Sequence, residues 1–207
     1  YFMFYSARWY KNGSLRVGLA VSDNPEGPFL DYTEGPLFDH GTAAIDAHLF
    51  INGDGRNYLY YSIDCSENIV DGRHESHIYG VELSEDLKTL IGAPVLLIKP
   101  DQEWEYKSGN EWRWNEGPSI LKHNNQYYLT YSANFYASRE YSVGYAISDS
   151  PLGPFEKYSK NPILYAPETD FRISGPGHNS FFTSPDGSEI FTAYHTHTDP
   201  NKGGGDR

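Results

Sequence analysis

WNEGPSILKHNNQYYLTYSA, Trp114 to Ala133, reads as a strand, a turn at His123 to Gln126, and a second strand rich in Tyr. Glu116 stands at the start of the first strand, between Asn115 and Gly117-Pro118. A backbone with that Gly-Pro pair cannot be regular helix and is poorly suited to mid-strand. A carboxylate held there is a candidate proton donor, although a lone Glu at a loop-to-strand junction is ordinarily a solvated residue. Two wider features of the chain favour the donor.

The first is repetition. A shift of 70 positions lays AIDAHLFINGDGRNYLYYS, Ala44 to Ser62, on the same pattern, with Asp46 over Glu116 and Tyr61-Ser62 over Tyr131-Ser132. SGPGHNSFFTSPDGSEIFTAYH, Ser174 to His195, is a third copy, with His178 at or beside that station. The chain opens in the second strand of a fourth copy, YFMFYSA. VGLAVSDNPEGPF, Val17 to Phe29, returns 126 positions later as VGYAISDSPLGPF. Tyr-Ser or Tyr-His marks at 5, 61, 131 and 194 are 56, 70 and 63 residues apart, room for four short strands and too much for a helical or leucine-rich repeat. The expected fold is therefore all-β, a β-propeller of about three to four blades in one domain. Its blade parts run approximately 1–43, 44–113, 114–173 and 174–207.

Composition agrees. Of 207 residues, 16% are aromatic, with 20 Gly and 13 Pro, which favours strands and turns over helices. A net charge of −12 argues against nucleic acid or an anionic membrane surface as partner. No apolar run reaches membrane-span length. One cysteine, Cys65, excludes an internal disulfide and reads as a structural thiol. The compartment, secreted or bacterial cytoplasmic, stays open. Within the second repeat, the SEDLKTL segment (84–90) is expected to make at most one helical turn. Residues 101–113, DQEWEYKSGNEWR, read as a polar loop leading to Glu116.

The second feature is convergence. In a propeller the first strand of each blade lines the central axis, so Asp46, Glu116 and His178 should meet at one mouth of the channel. Two carboxylates in one sugar-sized pocket are the apparatus of glycoside hydrolysis.

AIDAHLF, WNEGPSIL and GPGHNSFF, with the SDSPLGPF-type returns, resemble glycoside hydrolase family 43 over essentially the whole chain. The resemblance implies a five-bladed propeller that acts with inversion on arabinose- or xylose-containing polysaccharides, as an α-L-arabinofuranosidase or β-xylosidase of hemicellulose. It implies Glu116 as general acid and Asp46 as the carboxylate that orients the acid and adjusts its pKa. It also implies an axial calcium held through His178 and waters. Arg207 matches an Arg that the family points at the auxiliary Asp. The family's general base, an Asp, would lie before Tyr1, and its fifth blade beyond the last residue. On that reading this polypeptide alone is expected to be inactive.

Around these positions, Trp112 and Trp114 are candidates to stack on a sugar face or equally to anchor the core or loop, and Phe135 and Tyr136 are candidates to border the pocket, with core packing the favoured reading. His48, two residues after Asp46, should point to the same side of its strand and reach substrate. His195 and His197 show no third ligand at metal spacing and read as channel lining. Asp23 and Asp149 occupy equivalent outer turns and read as turn residues. Two other functions stay open: a sugar-binding propeller without catalysis, and a retaining propeller acting on sucrose or fructan. The retaining kind typically carries an EC-type acid motif, whereas this chain has EGP.

Overall fold

Antiparallel strands separated by Gly-, Asn- and Asp-bearing turns build nearly all of the chain, as its Tyr-rich, Gly- and Pro-punctuated sequence demands. The computed structural model describes residues 1–169 and 172–201. Its first sheet joins β1 (Phe2–Arg8), β2 (Leu15–Val21) and β3 (Leu30–Asp31). The second begins with β4 (Ala44–Ile51) and β5 (Asn57–Ile63). A short excursion, β6 (Ile69–Val70) and β7 (Arg73–Glu75), precedes its other two strands, β8 (His77–Leu83) and β9 (Leu90–Ile98). Next comes a 3-10 turn at Glu103–Tyr106, and then β10 (Trp112–Arg113), which pairs with β7 in parallel to make a small three-stranded sheet. The third large sheet runs β11 (Asn115–His123), β12 (Gln126–Ala133), β13 (Ser142–Ser148) and β14 (Glu156–Lys157). A final hairpin pairs β15 (Gly177–Thr183) with β16 (Ile190–His195).

Each large sheet is an antiparallel meander, the blade of a β-propeller. The described sheets do not close into a ring, and the first and last leave Phe2, Met3, Phe182 and Phe191 exposed. No described helix is long and apolar enough to cross a membrane.

The core lies between blades. In β5 the side chains alternate, so Leu59, Tyr61 and Ile63 pack on Val17, Leu19 and Phe38 of the first blade. Tyr58 and Tyr60 turn the other way, onto Tyr127, Leu129 and Tyr131 of the third. Both faces of β5 are thus covered, and every one of its residues is buried. Each large apolar side chain so buried contributes about 1.5–3 kcal/mol before entropic losses. Phenol groups finish the seam: the Tyr60 hydroxyl donates to the Pro151 carbonyl at 2.7 Å, and that of Tyr127 to Asn52 Oδ1 at 3.1 Å.

The SEDLKTL segment stays within its limit of one helical turn and makes none: Asp86 closes a tight turn by accepting from Lys88 N, with Leu87 in left-handed backbone. One local expectation needs correction. The 101–113 segment is not a plain polar loop, because Trp104 and Glu105 in its 3-10 turn are buried. Glu105 takes the N–H groups of Asp101 and Gln102 on one oxygen and the Tyr131 hydroxyl and Lys157 ammonium on the other. That network fastens the segment to the third blade.

Candidate active site

The first strand of three successive sheets carries a β-bulge: between Ile45 and His48, Glu116 and Ser119, and Gly177 and Ser180. In each, one residue adopts left-handed backbone: Asp46 at φ +56°, Gly117 at +57° and His178 at +50°. The pairing shows that Ile45, Glu116 and Gly177 are equivalent, facing Ser62, Ser132 and His195. Asp46 therefore corresponds to Gly117 and not to Glu116. The sequence alignment slipped by one because the hairpin turn after β11 is a residue shorter than the NGDG turn after β4.

These bulge residues meet. Gly117 N donates to Asp46 Oδ2 at 3.2 Å, and a side chain at Gly117 would meet the His178 ring at 3.0 Å. The Tyr-Ser marks explain themselves here, since Ser6 Oγ accepts from Asp46 N and Ser132 Oγ from His178 N, each bonding the bulge amide of the next blade. At the middle junction the Asp46 carboxylate takes the amide instead, and the buried Ser62 Oγ has no hydrogen-bond partner. Burial raises the Asp46 pKa above the ordinary 3.8, with Asp64 adding to this, while His178 and the Gly117 N–H oppose it.

Glu116, one residue earlier, turns its side chain away from the bulge into a cleft of about 860 Å³ between the second and third blades. Its Oε1 accepts from Ser76 Oγ at 2.7 Å. Asp64 and Cys65 stand beside it, the three offering ligand-type atoms within 4.8 Å of one another. Burial pushes the Cys65 thiol up to about 12, so it is a neutral lining group and not a nucleophile.

One wall of the cleft is a run of rings. Trp112 stacks on His74 at 3.8 Å and lies 6.4 Å from Trp114, which is 5.6 Å from Phe135; Tyr136 follows at 4.8 Å. Trp112, Trp114, Phe135 and Tyr136 all line the cleft, forming an aromatic surface suited to the apolar face of a sugar. His48 does not. The extra residue of the bulge breaks the alternation that would set it beside Asp46, and it sits opposite Tyr60, made neutral by burial that lowers its pKa to about 4. His197 is no channel lining: it is buried, with ring nitrogens at 2.9 Å from Ser174 Oγ and from the Tyr136 carbonyl. Arg207 lies outside the described residues.

Among the described residues His178 belongs to no cluster of three potential metal ligands, and a single imidazole is a weak site for a hard cation. Sequence reasoning missed Ser76, Asp64 and His74. They lie 40 to 52 residues before Glu116 in the chain; the pairing of β7 with β10 brings in Ser76 and His74, and Asp64 follows the last residue of β5.

Comparison with known proteins follows the same lines. The profile of glycosyl hydrolases family 43 matches residues 1–206. A β-D-galactofuranosidase of Aspergillus niger is 34% identical over 94% of this chain and 50% of its own length. An arabinoxylan arabinofuranohydrolase of Paenibacillus polymyxa is 26% identical over 92% of this chain and 30% of its own. A crystal structure of a thermostable family-43 glycoside hydrolase superposes with a TM-score of 0.93 at 55% identity, covering 98% of this chain and 64% of that one. The chain thus spans half or less of these two curated relatives.

Proposed function

The chain belongs to glycosyl hydrolases family 43, and from that membership we propose that it carries the acid side of an inverting glycosidase active on arabinofuranosides or β-xylosides of plant polysaccharides. The observation that carries the reading is the placement of Glu116 in an aromatic-walled cleft while the carboxylate of Asp46 holds the amide of the next residue, Gly117. A sugar stacked on Trp114 and Phe135 brings its glycosidic oxygen to Glu116. The carboxyl proton passes to that oxygen as the C–O bond breaks, and the bonding electrons leave with the departing alcohol. A water attacks the anomeric carbon from the opposite face and gives its proton to a base, which inverts the configuration. Asp46 acts at one remove, fixing the Glu116–Gly117 peptide by its hydrogen bond. Asp64 is not the base, since it comes within 4.8 Å of Glu116, inside the ~6.5–9.5 Å that inverting enzymes keep between their two carboxyls.

The full-length gene product, assayed on aryl α-L-arabinofuranoside and β-D-xyloside, tests this. Glu116→Gln is expected to lower kcat/KM on substrates with poor leaving groups by about 10²–10⁴. Proton NMR of the first-formed sugar should show the inverted anomer. Undiminished turnover by the variant would overturn the role of Glu116, and a retained anomer would overturn inversion. A full-length protein that binds xylan or arabinan without hydrolysing it would establish the sugar-binding alternative.

A further inference from the structure

Ser76 sits in the one-residue link between β7 and β8 and is fully buried. Its three polar groups make four hydrogen bonds. Its N–H donates to the Arg113 carbonyl at 2.9 Å, and its own carbonyl accepts from Asn115 N at 3.1 Å. Its hydroxyl accepts from Cys65 N at 2.9 Å and gives its single proton to Glu116 Oε1 at 2.7 Å. The flanking residues hold the link rigid. Glu75 accepts from Arg73 and lies 2.9 Å from His77 Nε2, with Arg113 at 3.9 Å. A serine tied through its backbone to Arg113 and Asn115, just ahead of Glu116, cannot turn its hydroxyl elsewhere without giving up a buried bond.

We propose that Ser76 is the positioning residue of the acid: by occupying Oε1 as a donor it fixes the Glu116 carboxyl plane and places the transferable proton on Oε2. A carboxyl group carries its acid proton on one oxygen at a time, and an oxygen already accepting a hydroxyl proton is the poorer seat for it. The other titratable groups of the cleft are Asp64 and Cys65 after β5, Glu111 in the segment before β10 and Tyr136 after β12, with Asp46 on β4 and His178 on β15 at the adjoining bulges. The hydroxyl proton of Ser76 is directed at Oε1.

This rests on Glu116 being the acid, and the experiment separates the two ideas. The full-length gene product is assayed on two glycosides of whichever pentose it cleaves, one with a 2,4-dinitrophenyl group, which leaves without protonation, and one with an alkyl alcohol, which needs the proton. Ser76→Ala should lose about ten- to hundredfold in kcat/KM on the alkyl glycoside and stay within about twofold on the dinitrophenyl one. The basic limb of its pH profile should move up by about one unit, because a donor to the charged carboxylate is gone. Ser76→Thr should restore both. If Ser76→Ala does not fold, Ser76→Cys, a weaker donor in the same place, should move both readouts the same way by less. Equal losses on both glycosides with an unmoved limb would make Ser76 merely structural and overturn the proposal. If Glu116→Gln itself spares the alkyl glycoside, the acid reading is what fails.

Discussion

Replacing Gly117 by alanine probes the bulge on which the site is built. Gly117 has φ +57°, and an added Cβ would lie 3.0 Å from His178 Nδ1, 3.1 Å from its Cγ and 3.3 Å from its Cε1. Left-handed backbone costs a residue with a Cβ about 1–2 kcal/mol relative to glycine. The ring must also retreat by a few tenths of an ångström, but His178 is exposed and can move, so this adds less than about 1 kcal/mol. A loss of about 1–3 kcal/mol lowers the melting temperature of a domain this size by roughly 2–12 °C. Catalysis should suffer more than stability, because the same shift moves the amide bonded to Asp46 and the adjoining Glu116. The assay is calorimetric melting of Gly117→Ala with and without His178→Ala. The double variant should regain the part of the loss due to the ring and keep the part due to backbone. A single variant that melts within 1 °C of the parent, with full activity, would refute the assignment of Gly117 to a strained station shared with Asp46 and His178.

Two further outcomes follow from buried charge. Because burial raises the Asp46 pKa above 3.8, the stability linked to this group is fully present below the ordinary aspartate range and is lost as pH rises through the raised native value. Asp46→Asn should therefore melt higher than the parent at pH 7, with an advantage that shrinks toward pH 4, while its activity falls; a constant or reversed difference across that range would contradict the burial argument. Lys157→Met strands the fully buried Glu105, whose Oε1 accepts from Lys157 at 2.7 Å. It should destabilise by about 3–5 kcal/mol, and the double change with Glu105→Gln by much less, as chemical denaturation would show.

Much of the fold was legible before any coordinates. The Tyr-Ser marks and the returning SDSPLGPF segment are local signals of strand and turn, and strands and turns depend mainly on near neighbours in the chain. The aromatic cluster around Glu116 was legible for a related reason: Trp112, Trp114 and Phe135 lie within 20 residues of the acid on the elements that flank it. The resemblance to family 43 rested on the same short stretches.

Register was a different matter. Whether Asp46 corresponds to Glu116 or to Gly117 depends on one residue fewer in a turn, and both readings leave the periodic pattern intact. Nor does pattern show that Glu105 is buried, since its partners Tyr131 and Lys157 lie 26 and 52 residues away. Hydrophobic alternation and turn chemistry are short-range, so the residues alone spell out a series of antiparallel strand units with an acid at the start of one of them. Only the tertiary structure decided that Asp46 grips the neighbouring peptide while Ser76 holds the acid. Those hydrogen bonds join residues 40 and 71 apart, and nothing but the packing of one blade on the next brings them within 3.2 Å.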